Sequence, residues 1–143
     1  MTAVRYETLT IYRNRKSGRV IVQPMTRHPT GASGEFGEPM QLTKEEVEAR
    51  LLPVVLENFA KYHRQTYVPE LAPKYSGKEY ADFTRAHDMV SVTRLETGVV
   101  EVNASERVRG GYRGLNSEMI VLQPQDVPTQ LVAAIRGAFR LCS

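Results

Sequence analysis

Gly18-Arg19-Val20-Ile21-Val22 and, 80 residues further on, Gly98-Val99-Val100-Glu101-Val102 carry the same glycine and the same alternating valines. At that offset Ile11–Tyr62 aligns with Ser91–Cys142 without a gap. Further identities are Arg27/Arg107, Gly31/Gly111, Gly34/Gly114, Glu38/Glu118, Leu42/Leu122, Val47/Val127, Leu51/Leu131 and Phe59/Phe139. Tyr12/Val92, Met40/Ile120 and Val55/Ile135 are conservative matches. Glycines and core-type residues dominate, so shared turns and shared buried faces are what recurs. The expected organisation is one domain, 1–143: a unit over about 4–62, an unmatched connector over 63–87, and a second unit over about 88–143.

Both copies read alike. Thr8–Tyr12 and Met89–Val92 alternate as strands, and the turns at Ser17-Gly18 and Thr97-Gly98 supply the positive φ that a hairpin needs. Val20–Val22 and Val100–Val102 are the return strands. Gly-rich loops follow at Thr30–Gly37 and Gly110–Gly114, and then third strands at Pro39–Leu42 and Met119–Leu122. Each unit closes with a helix. Thr43 and Glu46 have capping-box spacing, and Val47, Leu51, Val55, Phe59 and Tyr62 form one apolar stripe. Pro53 should bend or break that helix by removing a donor and crowding the preceding turn. In the second copy Asp126 reads as N-cap, Pro128 sits in the first turn, and Val127, Leu131, Ile135 and Phe139 repeat the stripe. The predicted fold class is α+β: a duplicated β-β-β-α unit, its antiparallel sheet packed by helices, with an unduplicated, partly helical connector.

The connector carries Tyr67, Tyr75, Tyr80 and Phe83 with Pro69 and Pro73. Ser76 and Glu79 have capping-box spacing, which predicts a short helix over Gly77–Ala86. An aromatic-anchored crossover is the plain reading of such a segment, and a functional element is the other.

With 41% hydrophobic and 24% charged residues among 143, the composition is that of an ordinary globular domain, not a disordered or collagen-like chain. One cysteine, Cys142, excludes an intrachain disulfide, and its place three residues after Phe139 reads as a small core residue. The opening MTAVRYETLTIYRNRK lacks an apolar signal core, and no stretch reaches the ~18–20 apolar residues of a membrane span. A soluble protein of the cytoplasm with no membrane partner is expected. Nineteen Lys and Arg against 16 Asp and Glu give a net charge of +3, with basic clusters at Arg13, Arg15, Lys16 and Arg19 and at Arg107, Arg109 and Arg113. Surface charge of this size permits a nucleic-acid role without demanding one.

Catalytic motifs are not found. His28, His63 and His87 fit no HExxH pattern, and a lone cysteine supplies no thiolate zinc site. His87-Asp88 is a dipeptide of some metal-dependent phosphohydrolases, with only His63 and Asp82 as scattered further candidates. No GxSxG elbow is present. Both Gly-rich loops lead into a strand, whereas a phosphate cradle leads into a helix N-terminus. Neither cofactor nor metal nor small-molecule substrate is expected, and the protein reads as no enzyme.

The hairpin Ile11-Tyr12-Arg13-Asn14-Arg15-Lys16-Ser17-Gly18, the Arg109–Gly114 loop, and a final strand and amphipathic helix over Met119–Leu122 and Gln123–Ile135 together set a pattern. It resembles the CdiI immunity proteins of bacterial contact-dependent growth inhibition systems. That resemblance implies a cytoplasmic protein that binds the toxic C-terminal domain of a cognate CdiA effector and blocks its active site. It carries over no contact residues. Candidate toxin-binding anchors come instead from the connector and the second Gly-rich loop, as the aromatic and Arg side chains not committed to the repeat: Tyr75, Tyr80, Arg85, His87, Arg109, Tyr112 and Arg113. A nucleic-acid module using the Arg107–Arg113 loop is the alternative, and a small hydrolase built on His63, His87 and Asp88 is a third reading.

Overall fold

A computed structural model describes residues 6–27, 33–35, 39–59, 77–109 and 111–142. Their elements run β1 (Tyr6–Asn14), β2 (Val20–Arg27), β3 (Ser33–Glu35), β4 (Met40–Leu42), α1 (Val47–Phe59), α2 (Gly77–Ala86), β5 (His87–Leu95), β6 (Val100–Val108), β7 (Gly111–Gly114), β8 (Ile120–Leu122) and α3 (Val127–Leu141). All strand pairings are antiparallel, in the order β3-β2-β1-β5-β6-β7, with β4 also on β2 and β8 also on β6. The fold is α+β, and β1, β2, β3, β4 and α1 correspond in order to β5, β6, β7, β8 and α3.

To the three strands per unit read from sequence, the structure adds a short one inside each Gly-rich segment. β3 pairs with β2 at Met25–Arg27, and β7 pairs with β6 at Ser105–Val108. Glycine-rich sequence gives little strand signal of its own, so the unpaired tail of each long return strand decides the matter.

One side of the sheet is apolar by alternation. Leu9, Ile11, Val20, Val22, Val90, Val92, Val100 and Val102 bury against α1 and α3, which present Leu51, Val55, Phe59, Leu131, Ile135 and Phe139. Those helix positions are the stripes read from sequence; Tyr62 lies outside the described residues. Helix α1 opens through a 3-10 turn, Lys44–Glu46, with the predicted capping box in place. The Glu46 amide donates to Thr43 Oγ1 at 3.3 Å, and the Thr43 amide donates to Glu46 Oε1 at 3.0 Å. The Thr43 amide, with Arg50 behind it, holds the Glu46 carboxyl below the usual carboxylate range.

One helix-level expectation is corrected and another is refined. Pro53 does not break α1, which continues to Phe59. Pro53 and Ala49, whose carbonyl loses its partner, both lie on the exposed face, where water replaces the missing bond. Asp126 is the N-cap of α3 as read from sequence, but its side chain makes no capping hydrogen bond, and the chain enters the helix through a 3-10 turn, Pro124–Asp126. The predicted helix over Gly77–Ala86 is α2, and Ser76, the proposed partner of Glu79, lies outside the described residues.

The hairpin glycines have φ of 75° at Gly18 and 90° at Gly98. A side chain at either would also crowd its neighbour, with a Cβ 3.1 Å from Lys44 Cδ in one hairpin and from Pro124 Cγ in the other. Register reveals an insertion that the ungapped alignment hid. Arg13 faces Val20 across the first hairpin and Arg94 faces Val100 across the second, so the first strands correspond one residue beyond the offset of 80. Gly18 accordingly closes the first hairpin onto the Asn14 carbonyl, while Gly98 closes the second onto Leu95, one residue nearer. The longer turn is ordered by Asn14, whose Oδ1 accepts from the amides of Lys16 and Ser17, both at 2.9 Å.

At the centre β1 and β5 pair over nine residues, Tyr6↔Leu95 to Asn14↔His87. With the corrected correspondence an approximate twofold axis passes beside the Thr10–Ser91 pair. Leu51 and Leu131 fall at equivalent places, 1% and 0% exposed. Leu51→Ala and Leu131→Ala should each lower unfolding free energy by about 2–5 kcal/mol in urea titration, and by similar amounts, since each empties the same kind of site.

Candidate functional site

Around the central seam the twofold arrangement produces two matched ion pairs. Arg13 reaches Asp88 across the ladder at 3.6 Å, and at the far end Arg94 takes Glu7 in a bidentate grip of 2.9 and 3.0 Å. Each guanidinium also lies over the last aromatic of a helix, Arg13 above Phe139 at 4.6 Å and Arg94 above Phe59 at 4.7 Å. Cation–π geometry of this kind favours desolvated arginine. Each arginine thereby stacks on the helix of the other unit.

Beyond this the two ends differ. At the Arg13 end the inserted hairpin residue lets Arg15 join Asp88 at 2.9 Å, while its backbone amide donates to the Ala86 carbonyl at 2.9 Å. The Arg15 guanidinium also donates to the Arg85 carbonyl. Arg15 therefore ties the first hairpin to the C-terminus of α2, where exposed carbonyls and the helix dipole favour a cation.

Helix α2 covers the other face of the sheet at this same end. Tyr12 meets the edge of Phe83 at 4.8 Å, and Phe83 stacks on His87 at 4.0 Å. His87 Nδ1 donates to the Phe83 carbonyl at 2.9 Å, and Tyr112 donates its hydroxyl to the His87 carbonyl at 2.9 Å. Burial pushes the Tyr112 phenol well above its ordinary value. Tyr80 packs close against Gly111, whose φ of 151° and lack of a side chain admit the hydroxyl. Arg107 Nε donates to Thr84 Oγ1 at 3.2 Å, fastening α2 to β6.

The sequence-chosen anchors thus gather at one end of the sheet, on α2, the start of β5 and the β6–β7 hairpin. Tyr80, His87 and Tyr112 are half-buried there and engaged in packing. Arg85, Arg109 and Arg113 are exposed; Arg85 pairs with Asp82, Arg113 pairs with Glu106, and Arg109 has no ion pair among the described residues. Tyr75 lies outside the described residues, as do His28 and His63. Asp88 and Asp82, offered as hydrolase ligands, are held by arginines, and among the described residues no group of three or more His, Cys, Asp or Glu is placed to hold a metal ion. Cys142 is half-buried, with its thiol directed at the Met89 and Ala138 carbonyls at 3.4 Å each.

On the helix side of this end lies a feature that sequence reading missed. A cleft of about 460 Å³ opens between the first hairpin, the start of α1 and the end of α3. Arg13, Arg15, Lys16, Lys44, Arg136 and Arg140 line it with Asp88 as the one acid, over a floor of Val20, Val47, Leu51, Ile135 and Phe139. Its cations come from three separate stretches of the chain; the basic run at Arg13–Lys16 was the visible part of the signal.

Comparison with known proteins bears on fold alone. No family model matches the chain, and no curated protein matches it. Among solved structures it is similar to a Neisseria meningitidis protein of unknown function, with a TM-score of 0.75 at 14% identity over 100% of this chain and 99% of the other. It is also similar to a chain of the CdiA-CT/CdiI toxin and immunity complex from Yersinia pseudotuberculosis, with a TM-score of 0.68 at 10% identity over 99% and 100% of the two chains. The architecture is therefore shared end to end with a component of a toxin–immunity pair. No helix among the described residues is long and apolar enough to cross a membrane.

Two outcomes test the chemistry of this end. Asp88→Asn leaves Arg13 and Arg15 facing each other without a counter-charge, and should cost about 1–2 kcal/mol of stability in denaturant titration. Burial also raises the Cys142 thiol pKa. A raised folded pKa favours the protonated thiol, so its contribution to stability is complete below the unfolded thiol pKa and disappears as pH rises through the folded one. At mildly alkaline pH Cys142 should alkylate more slowly with iodoacetamide in the native protein than in urea, followed by mass spectrometry.

Proposed function

We propose that the protein is an immunity protein, a cytoplasmic binder that covers the active site of a cognate CdiA C-terminal toxin domain and needs no catalytic group of its own. The observation that carries this reading is the end-to-end likeness of fold to a chain of the Yersinia pseudotuberculosis toxin–immunity complex. The end of the sheet capped by α2 and β7 suits it. A rigid aromatic cluster, Tyr12, Phe83, His87 and Tyr112, supports a surface from which Arg85, Arg109 and Arg113 project. Inhibition by coverage asks for roughly 800 Å² of such a surface, with a few aromatic and Arg anchors dominating the energy. Tyr75 and Tyr80 complete the proposed contact set.

The nucleic-acid alternative loses ground in the same geometry. Of its basic loop, Arg107 is engaged with Thr84 and Arg113 with Glu106, and only Arg109 is left unpaired among the described residues.

Mixed with the toxin domain encoded beside it, the protein should form a stable complex and restore growth to cells producing that domain. Absence of binding at micromolar concentration overturns the reading. Arg109→Glu with Arg113→Glu should weaken the complex by about tenfold or more, chiefly through a slower association rate.

A further inference from the structure

The approximate twofold axis supplies an internal control for the basic cleft. Each end of the seam is built from one hairpin, the start of that unit's helix and the end of the other unit's helix. The groups at the seam match: Arg13 and Arg94, Asp88 and Glu7, Phe139 and Phe59. The surrounding charges do not. Lys44 corresponds to Pro124, which packs on Gly98 as the Lys44 stem packs on Gly18. Arg136 and Arg140 correspond to Leu56 and Ala60, and Arg15-Lys16 falls where the second hairpin has Glu96-Thr97. The other end carries Pro124, Leu56, Glu96 and Thr97 at the places of Lys44, Arg136, Arg15 and Lys16, so the shared architecture does not require cations there.

Nor are all of them neutralised. Arg13 and Arg15 share Asp88, and Arg136 meets Glu48, but Lys16, Lys44 and Arg140 have no ion-pair partner among the described residues. The three unpaired cations around one concavity repel one another, and an anion bound among them would relieve that repulsion. The floor narrows the ligand class. Val20, Val47, Leu51, Ile135 and Phe139 offer apolar atoms beneath the charged rim, with no free aromatic face for a base to stack on. A short polypeptide segment that alternates carboxylate and aliphatic side chains satisfies both rim and floor.

We propose that this cleft binds an acidic, partly aliphatic segment of a protein partner, and, resting on the immunity reading, that the segment belongs to the toxin domain. The partner would then grip both faces of one sheet end, its acidic segment on the α1–α3 side and its remaining contact on the α2–β7 side. The +3 net charge becomes a local device for an acidic patch on the toxin.

The test uses the full chain and a fluorescent peptide of alternating glutamate and leucine, titrated by anisotropy, with a single-stranded oligonucleotide and inorganic phosphate in parallel. Wild type should bind the peptide in preference to both. Lys44→Glu with Arg140→Glu should weaken peptide binding by about tenfold or more, whereas Arg109→Glu on the other face should leave it unchanged. Lys44 and Arg140 are exposed and without ion pairs among the described residues, so thermal unfolding should shift by only a few degrees. Tighter binding of the oligonucleotide, or peptide binding that survives the double reversal, overturns the proposal. The same variant in the toxin-binding assay separates the two readings. A toxin complex unaffected by the reversal overturns the cleft assignment and leaves the immunity role standing. A cleft that binds the peptide in a protein that ignores the toxin domain overturns the immunity role and leaves the acidic-segment site.

Discussion

The nine-residue ladder between β1 and β5 is the constraint on which the rest of the molecule depends. Neither unit alone closes its core: the last aromatic of each helix lies under an arginine of the other unit's first strand. A slip of β1 by one residue along this ladder would turn Leu9 and Ile11 away from the helices and Tyr12 toward them. The seam resists such a slip at both ends, because Arg13 must find Asp88 and Arg94 must find Glu7. Ion pairs at this level of exposure add little stability for their number, yet here they set register, which is worth more than their strength.

Much of this architecture is legible in the sequence, and the reasons are physical. Return strands, third strands and helices recur because glycine at a positive-φ turn and apolar residues at helical or strand spacing each leave a signature that survives divergence. Gly18 and Gly98, Leu51 and Leu131, Phe59 and Phe139 are all of this type. What escaped were features set by relations between distant residues. An arginine in a strand reads as surface, so the Arg13–Phe139 and Arg94–Phe59 stacks had no local signal. The extra residue in the first hairpin was hidden because the alignment was driven by residues after it. Pro53 was misjudged because whether a proline breaks a helix depends on which face it occupies, and that face is exposed.

The candidate site follows the same rule. Of the aromatic residues offered as anchors, Tyr80, His87 and Tyr112 hold α2 and the start of β5 against the sheet and β7, and pattern alone does not distinguish such packing from anchoring a partner. The basic cleft could not be read from any one segment, since its cations belong to the hairpin, the first turn leading to α1 and the last turns of α3. A comparison of the two units position by position does expose it, as soon as differences are weighed instead of identities. Lys44 against Pro124 and Arg136 against Leu56 are the informative pairs.

A duplicated scaffold separates two demands that a single-copy fold must satisfy together. Positions equivalent in both units are held by packing and turn geometry, so a change at one is felt in stability. Exposed positions that differ between the units carry less of that burden. Arg15, Lys16, Lys44 and Arg140 of the cleft are such positions at one end of the sheet, where the inserted hairpin residue brings Arg15 to the α2 carbonyls and to Asp88. That single insertion links the helix-side cleft to the connector side through one side chain. Arg15 therefore meets both sides of this end at once, Asp88 on the helix side and the carbonyls of Arg85 and Ala86 at the end of α2.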